Sequence, residues 1–100
     1  MRYFSDDLLR RLRNEIDFAG LFSCLNWPHK RRADQLAFLC PRCRETDSAI
    51  NPRTNLARCF HCKTNFNPID FTMKARKCDF VEAVEYLTPF LPAADPTLLD

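Results

Sequence analysis

Four of the six cysteines in this chain form two CxxC pairs, Cys40/Cys43 and Cys59/Cys62, with fifteen residues between them. A CxxC turn brings two thiolates to one side of a tight knuckle, and two knuckles on neighbouring hairpins complete a tetrahedron of sulfurs. Zn²⁺ suits that arrangement, at Zn–S distances of roughly 2.3 Å. The spacing C-x2-C-x15-C-x2-C lies within the range read as a zinc site. Cys40, Cys43, Cys59 and Cys62 are therefore expected to hold one zinc ion. Four thiolates close the coordination shell, so no water is activated and the metal is structural, not catalytic. Two disulfides or a redox pair are the competing readings of the same residues, and a reducing compartment favours metal.

The other candidate ligands have plainer readings. Cys24 and Cys78 have no partner at ligand spacing and are expected to be small, partly buried hydrophobes. His61 sits inside the second knuckle, where the middle positions point away from an ion, so it is expected to make a polar contact on the outer surface. His29, at the start of "HKRR", is expected to be exposed.

Length and composition narrow the setting. A chain of 100 residues makes one domain with a marginal core, for which a metal staple is useful. The cysteines are too few and too unevenly spread for a disulfide scaffold. The N-terminus, "MRYFSDDLLRRLRNE", is charged throughout and has no signal-peptide core. No apolar run reaches the roughly 20 residues that span a bilayer. A soluble, cytoplasmic protein with no membrane partner is expected.

The elements around the knuckles follow a helix, strand, helix order. Ser5 is a good N-cap, and Asp6 and Asp7 complement the dipole of the helix it starts. Phe18, Leu21, Phe22 and Leu25 mark one face of a second helix, interrupted by Gly20 and ending before Pro28. "QLAFL", "SAI" and "NLARCF" read as strands, with "NPRTN" as a turn. Asn67-Pro68 starts a helix through "IDFTMKARK". Asp79 and Glu82 have capping-box spacing before the stripe Phe80, Val84, Leu87, Leu91, which Pro89 should end near Leu87 or Thr88. The expected fold is α+β: a small zinc ribbon, with a short antiparallel sheet and two knuckles, flanked by N- and C-terminal helices. It occupies residues 1–90, and residues 91–100 are expected to form a flexible tail.

Charge is concentrated around the cysteines. From Trp27 to Lys77 eleven Lys/Arg face four Asp/Glu, a net +7 in a chain whose total is +2. Such clustering is either a solvated basic face or the footprint of a polyanion, nucleic acid being the foremost candidate. Lys30, Arg31 and Arg32 lead into the first strand, and Arg42, Arg58 and Lys63 decorate the knuckles. These six, with His61 beside them, are expected to share one face and contact phosphates. Trp27, Phe60 and Phe66 are the candidates for stacking on bases.

The order "CPRC", "NP", "CFHC", "NPIDFTM", "DFVEAVEYL" resembles the zinc-binding domain of bacterial DnaG-type DNA primases, over about residues 6 to 88. The segment "NEIDFAGLF" resembles the family's N-terminal helical segment, and "CFHC" followed by "IDF" is the most specific part. The resemblance implies a zinc ribbon that contacts single-stranded template DNA and helps a polymerase domain choose where a primer begins. It places Cys40, Cys43, Cys59 and Cys62 at the ligand positions, and Ile69, Asp70 and Phe71 on a helix that packs on the ribbon. Many family members have His as the second ligand, where this chain has Cys43. The aromatic residues usual in the family hairpin are replaced here by "SAI" and "LAR". Family glycines after the second knuckle give way to Lys63 and Phe66.

A primase polymerises with clustered carboxylates in a separate domain, and this sequence has none beyond Asp6-Asp7, a helix start. The chain is expected to be non-catalytic, either a piece of a longer primase or a free-standing ribbon. Two functions stay open. One is a DNA-binding module for replication or primer initiation, with single-stranded DNA as partner. The alternative is a protein-interaction ribbon that docks on a replicative polymerase, a primase polymerase domain or a helicase.

Overall fold

The computed structural model describes residues 4–91, except for the Arg32 side chain. Two helices come first, α1 (Asp6–Glu15) and α2 (Phe18–Leu25). A hairpin of β1 (His29–Arg32) and β2 (Gln35–Phe38) follows, then a three-stranded sheet of β3 (Ser48–Asn51), β4 (Leu56–Cys59) and β5 (Thr64–Phe66). Two further helices, α3 (Pro68–Arg76) and α4 (Phe80–Leu87), run into a short 3₁₀ turn at Thr88–Phe90. All strand pairs are antiparallel.

Local chemistry sets the helix ends. Ser5 accepts from the Leu8 amide at 3.1 Å, and Asp17 accepts from Gly20 at 3.2 Å. Asn67 with Asp70, and Asp79 with Glu82, form complete capping boxes, each satisfying donors that a helix start leaves over. At the far end of α1 the help is tertiary. Asn55, in the turn between β3 and β4, donates to the carbonyls of Arg13 at 3.0 Å and Ile16 at 2.8 Å. That amide ties the helical layer to the ribbon.

Two strands were not anticipated. "HKRR", expected as a basic lead-in, is itself β1, because its backbone pairs with β2 from His29↔Phe38 to Arg32↔Gln35. Thr64–Phe66, with no alternation long enough to read, pairs with β4 as β5. The two sheets are joined through Ser48, whose hydroxyl accepts from the Phe38 amide at 2.8 Å and donates to the Phe38 carbonyl at 2.6 Å.

The core is aromatic, and Phe71 is its centre. Its ring lies 5.1 to 6.1 Å from those of Phe18, Phe22, Trp27, Phe38 and Phe66. Phe71 and Ile69 are buried while Asp70 faces out to make its cap, so α3 packs on the ribbon through the positions the resemblance implied. Trp27 donates its indole N–H to the Leu39 carbonyl at 2.7 Å, fastening the end of α2 to the strand that enters the first knuckle. Cys78 is half-buried, but Cys24 is exposed, contrary to expectation. It lies near the end of α2 beside exposed Ser23, at the edge of the face that buries Phe18, Leu21 and Phe22. His29 is exposed as expected, yet its ring rests 5.4 Å from that of Phe22. Of the expected tail, residues 91–100, Leu91 is half-buried against the core, and residues 92–100 lie outside the described residues. No helix among those described is long and apolar enough to cross a membrane.

Candidate metal centre and the ribbon's outer face

The two knuckles are built alike. In the first, the Arg42 and Cys43 amides point at Cys40 Sγ, at 3.4 and 3.5 Å. In the second, the Cys62 amide points at Cys59 Sγ at 3.5 Å. Each knuckle then reverses through a residue in the left-handed region, Arg44 at φ 66° and Lys63 at φ 56°. Glycine would adopt that conformation without a Cβ penalty, and neither position has one.

The four sulfurs converge, all within 4.8 Å of one another. Cys40 and Cys62 Sγ are 3.7 Å apart, and Cys43 and Cys59 Sγ 3.4 Å. A tetrahedron with Zn–S bonds of roughly 2.3 Å has edges of about 3.8 Å, so the donor set fits zinc in both chemistry and size. His61 is exposed and is not among the residues that converge.

The thiols are not equivalent. Burial pushes Cys40 up, and burial chiefly pushes Cys43 up to about 12. Cys62 is held down at about 6, first by the Thr64 hydroxyl, which lies 3.3 Å from its sulfur. Thr64 in turn accepts from the Arg42 guanidinium at 3.0 Å. Arg42 and Thr64 therefore link the knuckles, and Thr64 stabilises a thiolate at Cys62. Thr64 was not singled out in the sequence; its only signal is a hydroxyl two residues past a ligand.

The chain matches the model of the CHC2 zinc finger, a DnaG-type zinc ribbon, over residues 4–94. The chain belongs to the CHC2 zinc-finger family. A comparison with curated proteins returns no match. In this CHC2 zinc finger all four ligands are cysteines and the zinc is structural, one ion per ribbon. Four thiolates and one Zn²⁺ carry −2, so some of the surrounding cations balance the metal centre itself. The +7 of residues 27–77 becomes +5 once zinc is bound.

The expected basic residues are divided by strand alternation. Residues opposite one another across an antiparallel pair point to the same side of the sheet. Leu36 and Phe38 are buried, so Arg31, which pairs with Leu36, belongs to the inner side of β1. There it borders a depression with Asp17, Asp34 and Ile50. Lys30 pairs with Ala37 on the outer side. Arg58, between buried Ala57 and Cys59, also faces out, opposite Ala49 and Asn65, and donates to Asn65 Oδ1 at 3.1 Å. The six cations therefore do not share one face. Lys30 and Arg58 are on the outer one, Arg42 is engaged with Thr64, and exposed Lys63 ends the second knuckle. The Arg32 side chain lies outside the description.

The candidate aromatics are separated too. Phe66 is buried, and Trp27 is half-buried with its ring against Phe71 and its N–H bonded. Phe60 remains 48% exposed, with the Arg58 guanidinium carbon 5.9 Å from its ring centroid. It borders a shallow outer depression with Gln35, Ala49 and Arg58.

Proposed function

We propose that this CHC2 zinc finger is a non-catalytic nucleic-acid-binding module of the DNA primase type, whose outer ribbon face contacts single-stranded template DNA during primer initiation in the cytoplasm. The observation that carries this reading is the exposed Phe60 beside Arg58 on that face. An aromatic surface with a flanking cation is what unpaired bases stack upon, and such stacking tolerates any sequence. Ala49 and Ala37 leave the adjoining surface low, so a strand can approach the sheet closely. Lys30 and Lys63 supply further positive charge at the sheet and knuckle. Phosphate contacts of this kind position a strand without reading it.

The test is binding of a labelled single-stranded oligonucleotide to the zinc-loaded chain at several salt concentrations. Log affinity should fall with log[salt] at about −0.7 per neutralised phosphate. Replacing Lys30, Arg58 and Lys63 together by Ala should weaken binding and flatten the slope by about 2, with zinc content unchanged. A triple variant that binds as the parent does would defeat the proposal. The docking of a polymerase domain or helicase would then take its place.

A further inference from the structure

A second depression opens beside the outer face, bordered by the loop whose Asp47 carbonyl accepts from the Phe60 amide at 2.8 Å. It measures about 230 Å³ and lies where the β1–β2 hairpin meets the loop after the first knuckle. Pro28, Ala37, Phe38 and Leu39 give it an apolar lining, and His29, Lys30 and Thr46 add an imidazole, an amine and a hydroxyl. Its walls are fixed. The Leu39 amide donates to the Pro28 carbonyl at 3.0 Å, and the Leu39 carbonyl accepts from the Trp27 indole N–H at 2.7 Å.

We propose that this depression is a subsite for one nucleobase of the bound single strand, distinct from the stacking surface at Phe60. The inference rests on the reading of the outer face as the DNA surface. Size favours a single ring system. An apolar cavity of about 150 Å³ accepts benzene, whereas whole small-molecule ligands generally occupy about 300 Å³ or more. An open depression of 230 Å³ holds a flat base and leaves the sugar and phosphate outside it. Charge gives the direction. Lys30 stands on one side, while the exposed acids Glu45 and Asp47 flank Thr46 on the other. Phosphates are drawn to the Lys30 side and repelled from the loop, which turns the base inward toward Thr46. The Thr46 hydroxyl can donate to or accept from a base edge. Phe60 offers a base one open face; this subsite offers it walls and a hydroxyl.

The test uses a single-stranded oligonucleotide carrying one 2-aminopurine, moved position by position, titrated with zinc-loaded protein. At one position the emission should change on binding as the base leaves its stacked neighbours for the pocket. Ala37 lines the depression, so Ala37→Leu intrudes into it. It should abolish that change and lower affinity about tenfold, while the salt slope stays as it was because no charge is lost. Lys30→Ala should differ by flattening the slope by about 0.7 and, with the phosphates no longer drawn to that side, by shrinking the emission change without abolishing it. Zinc content and thermal melting establish that Ala37→Leu is folded; if it is not, Ala37→Val asks the same question with a smaller intrusion. Unchanged affinity and emission in the filled variant would overturn the pocket and leave the outer-face reading standing. Failure of the parent chain to bind at low salt would remove the reading beneath it.

Discussion

The two sides of the ribbon are made from the same strands and obey opposite rules. Inward, Phe38, Ala57, Cys59 and Phe66 are buried against Phe71 and the zinc ligands. Outward, their neighbours Ala37, Arg58 and Asn65 are small or polar, with Phe60 standing exposed at the knuckle. The inner rings Phe38 and Phe66 both meet Phe71, whereas Phe60 has the Arg58 cation beside it. The difference teaches that aromatic residue type alone says little about role here. What matters is which side of a strand the ring occupies, and the backbone pairing register fixes that.

Removing the metal should break the comparison altogether. Structural zinc contributes roughly 10–16 kcal/mol of apparent binding free energy, comparable with the whole stability of a small domain. Chelation, or Cys59→Ser, should therefore unfold the ribbon, as read by amide dispersion in NMR and by zinc analysis. A folded, zinc-free protein would refute this. Acid should act in the same direction, because protons compete with zinc for thiolates. Cys40 and Cys43, both raised, must each surrender a proton on binding, whereas Cys62, at about 6, is already ionised at neutral pH. Zinc affinity should thus fall as pH falls, and more steeply below about pH 6, where Cys62 also takes up a proton. Thr64→Val should shift that break to higher pH; a competition titration with a chelator of known affinity measures both.

Next in size is the contrast between two phenylalanines. Phe71→Ala removes the centre of the aromatic cluster and should cost about 3–5 kcal/mol. Phe60→Ala, on the exposed side, should change stability by no more than about 0.5 kcal/mol while weakening DNA binding. Denaturant melts of the two variants suffice. Equal losses would mean that the two sides are not distinct.

The smallest effect sharpens the comparison at the knuckles. Lys63 holds a left-handed conformation that strains any residue with a Cβ. Lys63→Gly should therefore raise stability by up to about 1 kcal/mol, since relief of strain outweighs the added freedom of the unfolded chain. A lower melting temperature would show that the Lys63 side chain contributes more to the fold than its backbone costs.

Much of the site was written in the chain. The four ligands follow from spacing, because a CxxC turn is local and its geometry does not depend on what surrounds it. The helix starts at Ser5, Asn67 and Asp79 were legible for the same reason: a cap acts within three residues. The strands β1 and β5 were not, since a short strand is defined by its partner and neither carries enough alternation to announce one. Nor could the sequence separate Lys30 from Arg31, adjacent in the chain and on opposite sides of the hairpin, or foresee that Arg42 would turn to Thr64. The reach of Asn55 to the end of α1 spans about forty residues, and nothing in either segment alone calls for it. Composition and spacing determined the metal, the caps and the family resemblance, all of which depend on short-range chemistry. Which cations and rings meet solvent was decided only by tertiary structure, because strand register assigns each side chain to a face.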